Sequence, residues 1–91
     1  YPVLKNHAAQ TDFAAKVAGD IAGRDKVDID MAPVMGAEDF SFMLNARPGA
    51  FIFIGNGESA GLHHPAYNFN DDAIPFGTSY WVKLVETALA A

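Results

Sequence analysis

The run Ala50-Phe51-Ile52-Phe53-Ile54 constrains this chain more than any other segment. Five apolar residues without alternation read as a strand covered on both faces, and such strands belong to sheets layered between helices. The run passes straight into Gly55-Asn56-Gly57-Glu58-Ser59-Ala60-Gly61-Leu62-His63-His64-Pro65, a glycine-rich loop ending in two histidines. Strand exits at the carboxyl edge of an α/β sheet are where such folds place their chemistry. Neutral imidazole is the commonest protein ligand for transition metals, so a histidine just past a buried strand is a candidate ligand. Adjacent histidines in an extended loop point to opposite sides, so only one of the two reaches a given metal.

The rest of the chain supplies helices around that strand. Asn6 can cap a helix whose Phe13, Val17 and Ile21 recur at i, i+4, and Gly23 stops it. Val27-Asp28-Ile29-Asp30-Met31 alternates with period two, as a strand with one wet face does, and Pro33 ends it. A shorter helix is predicted from Glu38 to Asn45, between Gly36 and Pro48-Gly49. A long loop from Gly55 to about Pro75 exceeds a simple connection, which makes it a candidate functional segment. The last helix, from about Thr78, puts Tyr80, Trp81, Leu84, Val85, Ala88 and Leu89 on one apolar face. The order helix, strand, helix, strand, helix predicts an α/β layer with parallel or mixed strands. Two strands are few for such a sheet, so further strands are expected from the same polypeptide or from another copy.

Composition narrows the function classes. Half the residues are hydrophobic and the aromatic share is 12%, which predicts a packed core rather than disorder. A formal charge of -5 and six scattered Lys and Arg argue against nucleic acid or an anionic membrane as partner. Cysteine is absent, which rules out disulfides and fits a cytoplasmic location. No apolar run reaches the roughly 20 residues of a membrane span, and no secretory signal is visible. The chain opens at Tyr1-Pro2 without a methionine, which reads as a fragment boundary.

Met35-Gly36-Ala37-Glu38-Asp39-Phe40-Ser41-Phe42 is the second informative segment. Gly36 permits a tight turn, and Glu38 and Asp39 stand at the start of the following helix. Acidic side chains there gain about 0.3–1 kcal/mol each from the helix dipole, a sufficient structural reason for both. The functional reading is that one of them faces a site and orients a ligand or substrate. Catalytic zinc normally takes three protein ligands plus water, and this chain has no HExxH and no Cys. His7, the remaining histidine, reads as a surface residue near a helix start. Asn68, Asn70, Asp71 and Asp72 lack the EF-hand spacing and its closing glutamate, so turn formation and capping explain them better than calcium.

In order, Met35-Gly36-Ala37-Glu38-Asp39-Phe40-Ser41-Phe42, Pro48-Gly49-Ala50-Phe51 with Ile54-Gly55, Leu62-His63-His64-Pro65 and Phe69-Asn70-Asp71-Asp72-Ala73-Ile74-Pro75-Phe76-Gly77 resemble the C-terminal end of the M20 metallopeptidase family. The nearest likeness is to its amidohydrolase branch, which includes hippurate hydrolases and other N-acyl-amino-acid hydrolases. The resemblance implies that residues 1–91 are the C-terminal part of a three-layer, zinc-peptidase-like catalytic domain, without its lid domain and N-terminal half. It implies a binuclear divalent metal site in the complete enzyme, usually zinc, sometimes manganese, nickel or cobalt, and a small N-acyl amino acid as substrate. It implies that His63 is a metal ligand, from the first histidine of the family's Leu-His-x-Pro motif. Gly36, Glu38 and His64 fall near the substrate pocket, and Asp39 at the helix start. The general base and the other ligands belong to segments of the parent enzyme outside this chain, so no catalytic residue is assigned here and the isolated chain is expected to be inactive. The alternative is a non-catalytic α/β module that self-associates or pairs with another chain through exposed sheet edges.

Overall fold

A computed structural model of the chain describes residues 1–90 and divides into two compact units, Tyr1–Ile52 and Phe53–Ala91. The α/β architecture expected from the sequence is contradicted. Among the described residues the regular structure consists of three α-helices and one 3-10 turn, with no strand and no sheet. Without a sheet there is also no sheet edge among those residues for the alternative reading to rest on.

In the first unit, α1 spans Ala8–Ala22. Its expected stripe is present, with Val17 buried and Phe13 and Ile21 half-buried, and Ala14 is buried beside it. Gly23 follows with φ 91°, and its N–H closes the last turn on the Gly19 carbonyl at 2.9 Å. That left-handed backbone is what a glycine after a helix supplies. A 3-10 turn, Arg24–Lys26, comes next. Helix α2 spans Phe40–Ala46, starting two residues later than predicted and burying Ser41 and Leu44. Around it, the Phe40 and Phe51 rings stand 5.5 Å apart, and Tyr1 meets Phe42 edge-on at 5.9 Å.

Both predicted strands are irregular, for identifiable reasons. A strand exists only as a member of a ladder, since its alternate N–H and C=O groups need a neighbouring backbone. In Val27–Met31 the Asp28 carboxylate accepts the Asp30 N–H at 2.9 Å, a local turn bond that diverts the backbone from a ladder. Ile29 and Met31, meant for the dry face, are 78% and 52% exposed. In Ala50–Ile54 a side chain stands where a neighbouring strand would. The Asn6 amide donates to the Phe51 carbonyl at 3.0 Å and its oxygen accepts the Phe51 N–H at 2.8 Å. One residue further along the first segment and two residues back along the second, the His7 N–H donates to the Gly49 carbonyl at 3.0 Å, and the His7 ring accepts the Gly49 N–H at 3.0 Å. Ile52 and, in the second unit, Phe53 and Ile54 are largely exposed, so the run is not covered on both faces.

In the second unit, α3 spans Ala73–Ala88, five residues longer at its start than predicted. Pro75 does not block it, because the first turn of a helix has no use for that N–H. Asn70 starts the turn into the helix: its side-chain oxygen accepts the Asp72 N–H at 2.9 Å and its carbonyl accepts the Ala73 N–H at 3.0 Å. Of the expected apolar face, Tyr80 and Leu84 are half-buried, whereas Trp81, Val85 and Leu89 are exposed. No helix among the described residues is long and apolar enough to cross a membrane.

Candidate functional site

The loop from Gly55 to Asp72 carries both candidate histidines. Its two arms are joined by one side chain. The Asn56 amide nitrogen donates to Ser59 Oγ at 3.1 Å and to the Asn68 carbonyl at 2.9 Å, while its oxygen accepts the Asn70 N–H at 2.6 Å. The residues around it line an open polar cavity of about 520 Å³ that includes Glu58 and Asp71 but neither histidine.

Between those arms the chain makes two successive turns. The His64 N–H reaches the Gly61 carbonyl at 3.1 Å, which places Leu62 and His63 at the centre of the first. His63 has φ 68°, the sole positive φ of a non-glycine residue among those described. The third residue of such a turn is ordinarily glycine or asparagine, because a β-carbon is crowded there. The second turn runs from His64 to Tyr67, whose N–H donates to the His64 carbonyl at 2.9 Å. Pro65 takes the position where a fixed φ suits it.

The two imidazoles differ in what they can do. His63 is exposed, and among the described residues its ring has no hydrogen-bond partner, so a nitrogen lone pair is available to an outside group. His64 Nδ1 accepts the Ala66 N–H at 3.0 Å. In the neutral ring that bond places the proton on Nε2, which turns His64 into a donor rather than a ligand.

Gly36 and Glu38 belong to the first unit. Nothing lies within 4 Å of a β-carbon built on Gly36, so the backbone there is open to a ligand. Glu38 is half-buried and one of its oxygens accepts the Phe40 N–H at 3.3 Å, which ties it to the start of α2. Asp39 occupies the N-cap position without a side-chain cap bond. Glu38, not Asp39, therefore does the capping work that either carboxylate was suited to. Partial burial pushes the Tyr80 phenol on α3 above its ordinary value of 10.0.

Sequence reasoning missed two roles. His7 is not a free surface residue but is half-buried against Gly49, and Asn56 is the tie of the loop. The signal for Asn56 was its place between Gly55 and Gly57, where an amide side chain can turn back on its own loop. The Asn70 and Asp72 bonds account for that polar cluster as turn chemistry.

As for a metal, no group of three or more His, Asp or Glu side chains is gathered among the described residues. The chain presents one unengaged imidazole, which fits the part of a single donor and not that of a whole centre.

Comparison with known proteins bears on the family of the chain. The chain is 34% identical over 83 residues to the hippurate hydrolase of Campylobacter jejuni subsp. jejuni serotype O:2, covering 91% of this chain and 22% of that protein. It is 36% identical over 84 residues to IAA-amino acid hydrolase ILR1-like 4 of Arabidopsis thaliana, covering 87% and 19%. To the putative amidohydrolase YhaA of Bacillus subtilis strain 168 it is 34% identical over 79 residues, covering 81% and 20%. The chain thus spans about a fifth of the length of the curated relatives it matches. No solved structure matches it at a significant level. The family model described as peptidase family M20/M25/M40 matches residues 1–87, and the chain belongs to that family.

Proposed function

We propose that residues 1–91 form part of the catalytic domain of a metal-dependent amidohydrolase that cleaves N-acyl amino acids, with His63 as one ligand of its metal. The observation that carries this reading is the His63 backbone. A histidine held at φ 68°, exposed and without an internal hydrogen bond, gives nothing to the fold that glycine would not give better. Its imidazole is accounted for by an outside group. The relatives named as hippurate and IAA-amino acid hydrolases support an N-acyl amino acid as substrate.

A divalent ion, zinc by preference and otherwise manganese, nickel or cobalt, would supply an acidified water and a polarised carbonyl. The work of this chain is positional. His63 would offer one nitrogen to the ion. His64, with its proton on Nε2, would donate to a substrate oxygen, and its carbonyl and Nδ1 are already spent on holding the loop. Gly36 would leave room for the substrate beside its bare backbone, and Glu38 would line the pocket with the oxygen not used at α2. The remaining ligands and the general base would come from the rest of the enzyme. That larger partner would also cover the apolar side chains that α3 leaves exposed, Trp81, Val85 and Leu89 among them.

The test is hydrolysis of a panel of N-acyl amino acids by the full-length protein, followed through release of the free amino acid, with and without a chelator. Chelator-sensitive release that returns on adding zinc or manganese is the expected result, together with no release by residues 1–91 alone. Hydrolysis unaffected by thorough chelation, or catalysed by the 91-residue chain itself, would overturn the proposal.

A further inference from the structure

We infer that Asn56 is the positioning residue of the histidine loop: by joining the two arms that flank residues 57–69, it holds His63 in the geometry that a metal requires. This rests on the reading of His63 as a ligand. Three observations lead to it.

First, Asn56 engages both ends of its amide. The nitrogen donates to Ser59 Oγ and to the Asn68 carbonyl, and the oxygen accepts the Asn70 N–H in the shortest hydrogen bond of the loop, 2.6 Å. The partners stand 12 and 14 residues away, so this one side chain closes the ring of backbone in which His63 lies. Second, little else crosses that ring. Between Gly57 and Ala66 the remaining bonds are short-range turns, such as Gly61 with His64 and His64 with Tyr67. Nearly every residue from 57 to 66 is exposed, so apolar packing does not fix the loop. Third, the His63 backbone sits in a sparsely populated region, and such a conformation persists only where its surroundings over-determine it. The Asn56 tie is the long-range constraint that does so.

A ligand gains affinity when it is held ready, because binding then does not have to order it. Losing an outer partner that orients a metal ligand typically weakens metal binding 10–100-fold. Asn56 acts one step further out, through backbone rather than through the ring, and the same logic applies to the loop as a whole.

The experiment uses the full-length protein and its Asn56→Ala, His63→Ala and doubly substituted variants. Zinc affinity is measured by competition with a chromogenic chelator, and amide hydrogen exchange is measured on the metal-free proteins. Asn56→Ala should weaken zinc binding by roughly 10-fold or more. It should also speed exchange of the His64 and Tyr67 N–H groups by roughly 10-fold or more, since the loop loses the three bonds that close it. The double variant should bind zinc no more weakly than His63→Ala alone, because a positioning residue has nothing left to position. A merely structural role would instead destabilise the fold while leaving the zinc affinity of the folded protein and the exchange at 64 and 67 unchanged, and that result overturns the inference. Asn56→Asp, which keeps the acceptor for the Asn70 N–H and loses both donors, should fall between wild type and Asn56→Ala in both measurements. If His63→Ala itself leaves zinc affinity intact, the ligand reading fails and this inference falls with it. If only the Asn56 arm is silent, the inference fails while the ligand reading stands.

Discussion

Replacing His63 by glycine separates what the residue does for the fold from what it does for chemistry. In the left-handed region a β-carbon costs about 1–2 kcal/mol, which glycine does not pay. Against that, glycine adds freedom to the unfolded chain, worth about 0.4–1 kcal/mol in the other direction. No internal hydrogen bond is lost, because the ring is exposed and unengaged among the described residues. The net effect of His63→Gly on stability therefore lies between about zero and +1.6 kcal/mol. In a domain of 150–250 residues, +1 kcal/mol is roughly 2–4 °C in Tm. His63→Ala keeps the crowded β-carbon, so it should melt about 1 kcal/mol below His63→Gly. Metal affinity should behave in the opposite way, falling in both variants by more than the roughly 100-fold that marks the loss of an outer partner. The assay is a thermal melt of metal-free full-length protein beside a zinc competition titration. A drop in Tm above about 4 °C for His63→Gly would show that the ring supports the fold. Unchanged zinc affinity would show that it does not hold the ion. Either result refutes the reasoning.

Three further outcomes are expected from the full-length protein. Asn6→Ala removes both bonds to Phe51 and should cost about 1–3 kcal/mol by urea titration, with Asn6→Asp recovering part of the loss through its remaining acceptor. Ser41 is fully buried and its hydroxyl has no hydrogen-bond partner among the described residues, so Ser41→Ala should stabilise by about 1 kcal/mol, and a clear loss of stability would contradict that account. Burial holds the Tyr80 phenol protonated above its ordinary value of 10.0, so the folded state binds the proton more tightly than the unfolded one. Stability should be level below pH 10 and decline as pH rises past it, and Tyr80→Phe should flatten that decline in melts taken between pH 9 and 11.

What the sequence revealed depended on how local the cause was. The i, i+4 spacing of Phe13, Val17 and Ile21 and the stop at Gly23 mark α1, because a helix satisfies its own backbone and needs no distant partner. The expected start of α3 near Thr78 falls five residues late, because the first turn of a helix tolerates a proline and Pro75 lies within it. The strands were misread for a deeper reason. Apolar character in Ala50–Ile54 makes a segment willing to pair, but pairing is decided by what lies alongside, and at Phe51 the Asn6 side chain takes both backbone groups. The candidate site was legible as motif and not as geometry. Leu62-His63-His64-Pro65 identifies the histidines, whereas the left-handed turn at His63 and the proton placement on His64 follow from bonds to Gly61 and Ala66 that no residue spacing announces.

The paired bonds from Asn6 and His7 to residues 49–51 also bear on the order in which the first unit assembles. Their ends lie 42 and 45 residues apart in the chain, so they form only after a large loop has been closed. Helix α1 can propagate on its own, but the ring at its N-cap finds its partner only when Gly49 arrives. These bonds are therefore latecomers on the folding route. Weakening them should quicken unfolding and leave the refolding rate nearly untouched, which makes Asn6 a governor of how long this unit persists once made.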